Sequence, residues 1–207
     1  MYKLYWSKGS GAVAPQVMLE ESGVPYEKIV VDLDKEENRR AEFLALNPLG
    51  QVPVLALPDG TIMTESAAMV LEIGDRHPES GLIPGVGSAE RAVVLRWLLF
   101  MAVNLYVAEL RMFYSDRFTS EPGGVEGVRA SAVADAERAL SILESGLAPG
   151  PFLLGDRYSA ADIYLWMLAS WFPAEVIEKY PRIQRLKREI MRRPVVAKLA
   201  KENGLEG

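Results

Sequence analysis

Pro53 stands inside an otherwise apolar run, Val52 to Leu57, within the stretch NPLGQVPVL from Asn47 to Leu55. Proline has no N–H to give to a sheet ladder, so it is confined to edges, bulges and strand starts. The run therefore predicts a strand that begins with exposed, unpaired backbone. An X-Pro bond also adopts the cis form at modest cost, which turns the preceding backbone outward. The N–H and C=O of Val52 would then be open to an extended peptide, held as if it were one more strand. The alternative is an ordinary trans proline on an edge strand, and spacing alone does not choose between the two.

Around this run the chain alternates. Lys3 to Trp6 reads as a strand and Ser7 to Gly11 (SKGSG) as a turn. Pro15 opens a helix that runs to Ser22, since proline in a first helical turn gives up no hydrogen bond. Glu27 to Asp32 is a second strand, and Lys35 to Leu46 an amphipathic helix with Phe43 and Leu44 on its core face. Val52–Leu57, the turn Pro58-Asp59-Gly60 and Thr61–Thr64 have hairpin spacing, and Glu65 to Arg76 is a helix. The order βαβ–α–ββα predicts a small mixed sheet, parallel through the first crossover and antiparallel at the hairpin. After a stretch rich in Gly and Pro, PESGLIPGVGS, strand signals stop. Helices are expected over Ser88–Phe118, Pro122–Gly146, Ser159–Trp171, Arg182–Arg193 and Val195–Glu202. Ser159 and Asp162 form a capping box, with Tyr158 and Ile163 placed as its hydrophobic staple. The expected organisation is an α/β domain over 1–77, a linker over 78–87 and an all-helical domain over 88–207.

Composition removes several functions. The chain has 207 residues, 49% hydrophobic, with a net charge of −5. It lacks the basic surface that nucleic acid requires. The N-terminus carries no apolar run of signal-peptide length. The longest apolar region, Val93 to Ala108, is broken by Arg96 and Asn104, so no membrane span is expected. There is no cysteine, which excludes a disulfide framework, a cysteine nucleophile and a thiolate metal site, and fits a cytoplasmic location. The single histidine, His77, precedes Pro78 at a helix end, where a histidine meets the helix dipole; no metal site is expected. One competitor has to be met. Gly9-Ser10-Gly11-Ala12-Val13-Ala14 follows a strand, opens a helix, and precedes Asp32 and Asp34, which imitates a dinucleotide fingerprint. Such a domain needs further parallel βαβ units, and the chain does not continue that way. The same helix start beside a hydroxyl equally suits a small anion.

Taken together, in this order, NPLGQVPVL, Thr64-Glu65-Ser66, and the late segment GDRYSAADIYL resemble the cytosolic glutathione S-transferases along the whole chain. The start, KLYWSKGSGAVAPQ, is most similar to bacterial members of the beta type. The resemblance implies a thioredoxin-like first domain with a cis proline, a homodimer, and glutathione bound across that proline. Val52 would pair its backbone with the cysteinyl part of glutathione, and Pro53 would expose that backbone. Glu65 and Ser66 would hold the γ-glutamyl end, which agrees with the affinity of a carboxylate for an ammonium and of a helix start for a carboxylate. Gln51 would reach a glutathione carboxylate or amide. Lys35 resembles a partner of the glycine carboxylate; a solvated lysine at a helix start is the equal alternative.

The departure is at the reactive centre. Beta-type members carry a cysteine where this chain has Gly11, so chemistry through a protein thiol is absent. Other members use a serine at this turn. Ser10 is the expected hydrogen-bond donor to the glutathione sulfur, with Ser7 and Tyr5 as rivals. A hydroxyl donor and a helix N-terminus together lower a thiol pKa by about one unit, or ~1.4 kcal/mol. The thiolate would attack a hydrophobic electrophile seated between the domains, against Tyr106, Tyr114 and Trp171; Met112, Phe113 and Trp166 are further candidates, with core packing the competing role for each, and Arg111 would reach either the cleft or an acid on a neighbour. The function expected is a glutathione transferase acting in detoxification. A non-catalytic glutathione-binding or protein-interaction module of the same fold is the alternative. A glutathione-dependent isomerase would carry a Ser-Ser-Cys turn, which SKGSG lacks.

Overall fold

The computed structural model describes residues 1–206. Along β1 (Tyr2–Trp6) the side chains alternate as a half-covered strand must, with Tyr2, Leu4 and Trp6 buried and Lys3 exposed. α1 (Val13–Glu21) returns the chain to β2 (Tyr26–Val30), which runs parallel to β1 with Leu4 beside Lys28. β3 (Val54–Ala56) and β4 (Ile62–Met63) form the antiparallel hairpin. The sheet order is β2-β1-β3-β4. Among the described residues only the β1–β2 pair is parallel, so the dinucleotide alternative has no doubly wound sheet there to occupy.

α1 and α3 (Ser66–Arg76) pack together, and the buried faces of these helices hold Val17, Met18, Met69, Val70 and Ile73. A second cluster is formed by Val31, Phe43 and Val54, with Tyr5, Leu46 and Val52 against it. The helix expected over Lys35–Leu46 is reduced to α2 (Ala41–Leu44), preceded by a 3-10 turn at Glu37–Arg39. Glu36 is the reason: at φ 52 it is left-handed and breaks the run, while the Asp32 carbonyl accepts the Glu37 N–H at 3.0 Å. Phe43 is core as expected, and Leu44 is half-buried. The stretch over 78–87 is not a solvated tether. Leu82 and Ile83 are buried, and Ile83 lies against Gly74 of α3.

The chain divides into two compact units, Met1–Val86 with the chain from Glu189 onward, and Gly87–Arg188. α10 (Pro194–Asn203), grouped with the helical domain by sequence, packs on α1 in the first unit. In the second unit Ser88 caps α4 (Ala89–Phe100), its hydroxyl accepting the Arg91 N–H at 3.1 Å. The helix continues through a π turn, Met101–Leu105, into α5 (Tyr106–Phe113). This run, Ala89–Phe113, is long and apolar enough to cross a membrane by length and composition alone. Here Val94, Trp97, Leu98, Met101, Leu105 and Ala108 make its buried face. α6 (Val125–Gly146) packs along α5. α7 (Ala160–Ala169) is buried on every side. A short α8 (Ala174–Ile177), not foreseen, precedes α9 (Pro181–Met191).

Candidate active site

The strand registers converge on one end of the sheet. β1 and β3 pair Leu4 with Leu55 and Tyr5 with Val54. Carried past the last pair, that register sets Trp6 beside Pro53 and Ser7 beside Val52. β3 and β4 pair Leu55 with Met63 and Ala56 with Ile62. Carried one step further, it sets Thr64 beside Val54, after which Glu65 turns the chain into α3 at Ser66. Ser7 and Val52 therefore lie just past the point where the β1–β3 ladder stops, and α3 begins at Ser66, three residues after β4.

The Val52–Pro53 bond is cis. No hydrogen bond to the N–H or C=O of Val52 is present among the described residues. The backbone just before it is tightly held. Asn47 is buried; its Nδ2 donates to the Gln51 carbonyl at 2.7 Å and its Oδ1 accepts the Leu49 N–H at 3.1 Å. Asn38 Nδ2 donates to the Gly50 carbonyl at 2.7 Å. Gly50 sits at φ +64, and a Cβ there would lie 3.0 Å from the Asn38 carbonyl, so any side chain at this turn is strained. Asn47 was legible in sequence as the start of the motif, but its clamp on Gln51 was not. The Gln51 side chain itself is exposed.

Glu65 caps α3 from a strained conformation, φ 65 and ψ 101. A non-glycine residue there costs about 1–3 kcal/mol, and such strain gathers at ligand sites. Its side chain is exposed while Ser66 is buried. Like every helix, α3 leaves first-turn N–H groups without intrahelical partners, so an acceptor is favoured at this end.

On the other side of Val52, the Ser7–Gly11 turn leads into α1. The Ser10 hydroxyl donates to the Ser7 carbonyl at 2.7 Å and accepts the Ala12 N–H at 3.2 Å. Its proton is thus spent on the turn itself. No bond engages the half-buried Ser7 hydroxyl among the described residues. The Tyr5 ring meets Phe43 edge-on, centroids 6.1 Å apart. Gly11 is buried. Lys35 is exposed and paired with Asp32 at 2.7 Å, which raises the lysine pKa and lowers that of the aspartate. This contact holds Lys35 on its own turn.

In the helical unit, Tyr106 and Trp171 are brought together, ring centroids 5.3 Å apart. Tyr114 lies at the end of α5 under the Arg117 guanidinium, 3.9 Å above its ring. Trp166 is fully buried and belongs to the core, because α7 has no solvent face. Arg111 pairs with Asp135 of α6. Sequence reasoning missed Glu109, a buried carboxyl with neither oxygen hydrogen-bonded; burial pushes its pKa well up. An acid set among Leu105, Ala108 and Leu110 was the available signal. His77 is half-buried, its ring nitrogens facing Tyr2 Oη at 3.1 Å and Glu79 at 3.3 Å. Among the described residues no three His, Asp or Glu side chains gather to hold a metal.

Two family descriptions match this architecture, "Glutathione S-transferase, N-terminal domain" over residues 14–76 and "Glutathione S-transferase, C-terminal domain" over residues 126–194. An uncharacterized GST-like protein of Escherichia coli, YncG, is 33% identical over 84% of this chain and 83% of its own. The chain belongs to the glutathione S-transferase family. Two solved glutathione S-transferases share its fold over nearly their whole length. A glutathione transferase homologue from Sulfitobacter, solved with bound glutathione, is 28% identical with a TM-score of 0.90, covering 99% of each chain. A beta-class enzyme from Sphingomonas chungbukensis is 31% identical with a TM-score of 0.82, covering 98% of this chain and 99% of its own. The glutathione S-transferase fold therefore places the cis proline, the strained Glu65 and the α1 turn at one end of its sheet.

Proposed function

We propose that this glutathione S-transferase binds glutathione across Val52–Pro53 and activates it as a thiolate for attack on a hydrophobic electrophile. The observation that carries the reading is the Val52 backbone, whose N–H and C=O have no partner among the described residues, just past the end of the β1–β3 ladder. An extended peptide satisfies both groups as a strand would. Glu65 offers its carboxylate to the γ-glutamyl ammonium, and Ser66 with the α3 N-terminus offers donors to the carboxylate. Gln51 would reach a glutathione carboxylate or amide. Lys35 would reach the glycine carboxylate only by leaving Asp32.

The thiol is activated at the α1 turn. Ser10 would have to release the Ser7 carbonyl to serve as donor, whereas the Ser7 hydroxyl is uncommitted and beside Val52; this favours Ser7, with Ser10 and Tyr5 behind it. The sulfur gives its proton to solvent, bonds to the electrophilic carbon, and the leaving group departs with the bonding pair. The Tyr106–Trp171 pair, with Tyr114, is the proposed apolar wall for the electrophile. Leu99, Val103 and Val107, spaced four residues apart and exposed along the α4–α5 run, support a homodimer. The absence of cysteine supports a cytoplasmic setting, and a net charge of −5 supports small molecules rather than nucleic acid as partners.

The commitment of Ser10 to its own turn favours one second reading, a module that binds glutathione without activating it. One measurement separates the two. Because the chain has no cysteine, any thiolate ultraviolet absorbance between about pH 5 and 8 belongs to the ligand. Thiolate well below the free-thiol pKa of about 8.5 supports the transferase. Bound glutathione that stays protonated supports the module. Ser7→Ala, Ser10→Ala and Tyr5→Phe then identify the donor by which one restores the ordinary thiol pKa.

A further inference from the structure

The turn that carries the activating groups is held from the far end of the chain. α10 ends at Asn203, which is 3% exposed. Its Oδ1 accepts the Gly9 N–H at 3.1 Å across 194 positions of sequence. Its Nδ2 donates to the Leu199 carbonyl at 2.9 Å and to Gln16 Oε1 at 3.2 Å. The acceptor and both donors are used, and the two carbonyl partners of Nδ2 fix which way the amide faces. Packing repeats the message. Gly9 is left-handed at φ +65, and a Cβ on it would come within 3.3 Å of the Asn203 carbonyl. The next residue, Gly204, lies beside the Lys8 side chain.

The end of α10 is itself anchored. Leu205 N–H returns to the Ala200 carbonyl at 2.8 Å, closing the helix. Glu202 accepts from Gln16 Nε2 at 3.2 Å and pairs with Lys28. Arg193 reaches Glu21 and Lys198 reaches Glu20, both on α1. Against this fixed frame, the turn's own backbone bond from Ser10 N–H to the Ser7 carbonyl is long, 3.3 Å. Glycine populates left- and right-handed wells about equally, so Gly9 contributes no preference of its own. The Asn203 acceptor does.

We propose that Asn203 is a positioning residue for thiol activation. It holds the Gly9 N–H, and through it the Ser7–Gly11 turn, in the one conformation that presents a hydroxyl and the α1 N-terminus to the glutathione sulfur. The inference rests on the reading above that this turn activates the thiol. It adds that the last helix of the chain, which touches no ligand group, sets how acidic that thiol becomes.

Three variants of the full chain test it by thiolate absorbance of bound glutathione and by turnover against pH. Asn203→Ala and Asn203→Leu lack the acceptor, the second filling nearly the same volume. Asn203→Asp keeps an oxygen for Gly9 while losing the donors. Loss of the acceptor should raise the bound thiol pKa by about one unit, so that turnover near pH 6.5 falls roughly ten-fold. The deficit should close above about pH 8.5, where the thiol ionises unaided. At a pH where the bound thiol stays protonated, glutathione affinity should move less than about three-fold, since Val52, Glu65 and Ser66 are untouched. Asn203→Asp should retain the low thiol pKa even as its melting temperature falls. If Asn203→Ala fails to fold, Asn203→Leu carries the comparison. A merely structural role is revealed if all three variants leave the thiol pKa where it was, or if Asp and Leu shift it equally, and either result overturns the proposal. Wild-type protein that binds glutathione without ionising it overturns the activation reading and this inference with it.

Discussion

Two carboxyl groups lie buried in the helical unit, and their surroundings could hardly differ more. Asp162 on α7 accepts the Ser159 N–H at 2.8 Å, the Ser159 hydroxyl at 2.7 Å and the Leu153 N–H at 2.7 Å. Burial raises its pKa to about 6, and those donors hold it from rising further. Glu109 on α5 is equally hidden and has no donor at either oxygen among the described residues, and burial pushes its pKa well up. Depth is the same for both; what separates a structural anchor from a liability is whether the surrounding backbone offers N–H groups. Asp162 ties the 153–159 loop to the start of α7. Glu109 ties nothing.

The contrast can be broken most sharply at Asp162. Asp162→Ala strands three buried donors and should destabilise the protein by about 3–4 kcal/mol in chemical denaturation. Glu109→Leu should do the opposite, adding about 1–3 kcal/mol near pH 7, because no partner is lost and a desolvated acid is removed. A loss of stability in Glu109→Leu would mean that Glu109 has a partner in solution. The pH dependence sharpens the same comparison. The native pKa of Asp162, about 6, lies above the unfolded value of about 3.9, so the native state holds this proton longer. Its stabilising contribution is complete below about pH 4 and is lost as pH rises to 6, by about 2–3 kcal/mol. Glu109 has the same sign, its loss beginning near pH 4 and running up to its own raised native value. The contribution of these two acids to the melting temperature should therefore decline with rising pH, against the opposite contribution of Asp32, Asp59 and Asp135, whose pKa values are lowered, and Glu109→Leu should remove the part of that decline that Asp162 does not explain. The smallest effect is Ser159→Ala, which removes one of three donors and should cost about 1 kcal/mol.

What could be read in the sequence was what neighbours decide. The capping box needed only Ser159 and Asp162 three residues apart, and it is there. Pro53 inside an apolar run announced an interrupted ladder, and the hairpin beside it followed from Pro58-Asp59-Gly60. Long-range partners were not legible. Nothing near Gly9 says that Asn203 will accept its N–H, and nothing near Gln51 says that Asn47 will hold its carbonyl. Lys35–Leu46 has the period of a helix, yet one left-handed residue, Glu36, cut it to a single turn. Trp166 and Trp171 look alike in sequence; only the all-round burial of α7 sends the first into the core and leaves the second beside Tyr106.

The partition of the chain also fixes an order of events during synthesis. β1 and the Ser7–Gly11 turn leave the ribosome before α10, which holds that turn and follows only after the whole of the Gly87–Arg188 unit. At about 5–20 residues per second, the early sheet waits some ten to forty seconds for its final helix. The helical unit, built from contacts closer in sequence, meets no such delay. A protein of this design would emerge with its Ser7–Gly11 turn still loose, and would acquire it in finished form only once α10 had followed.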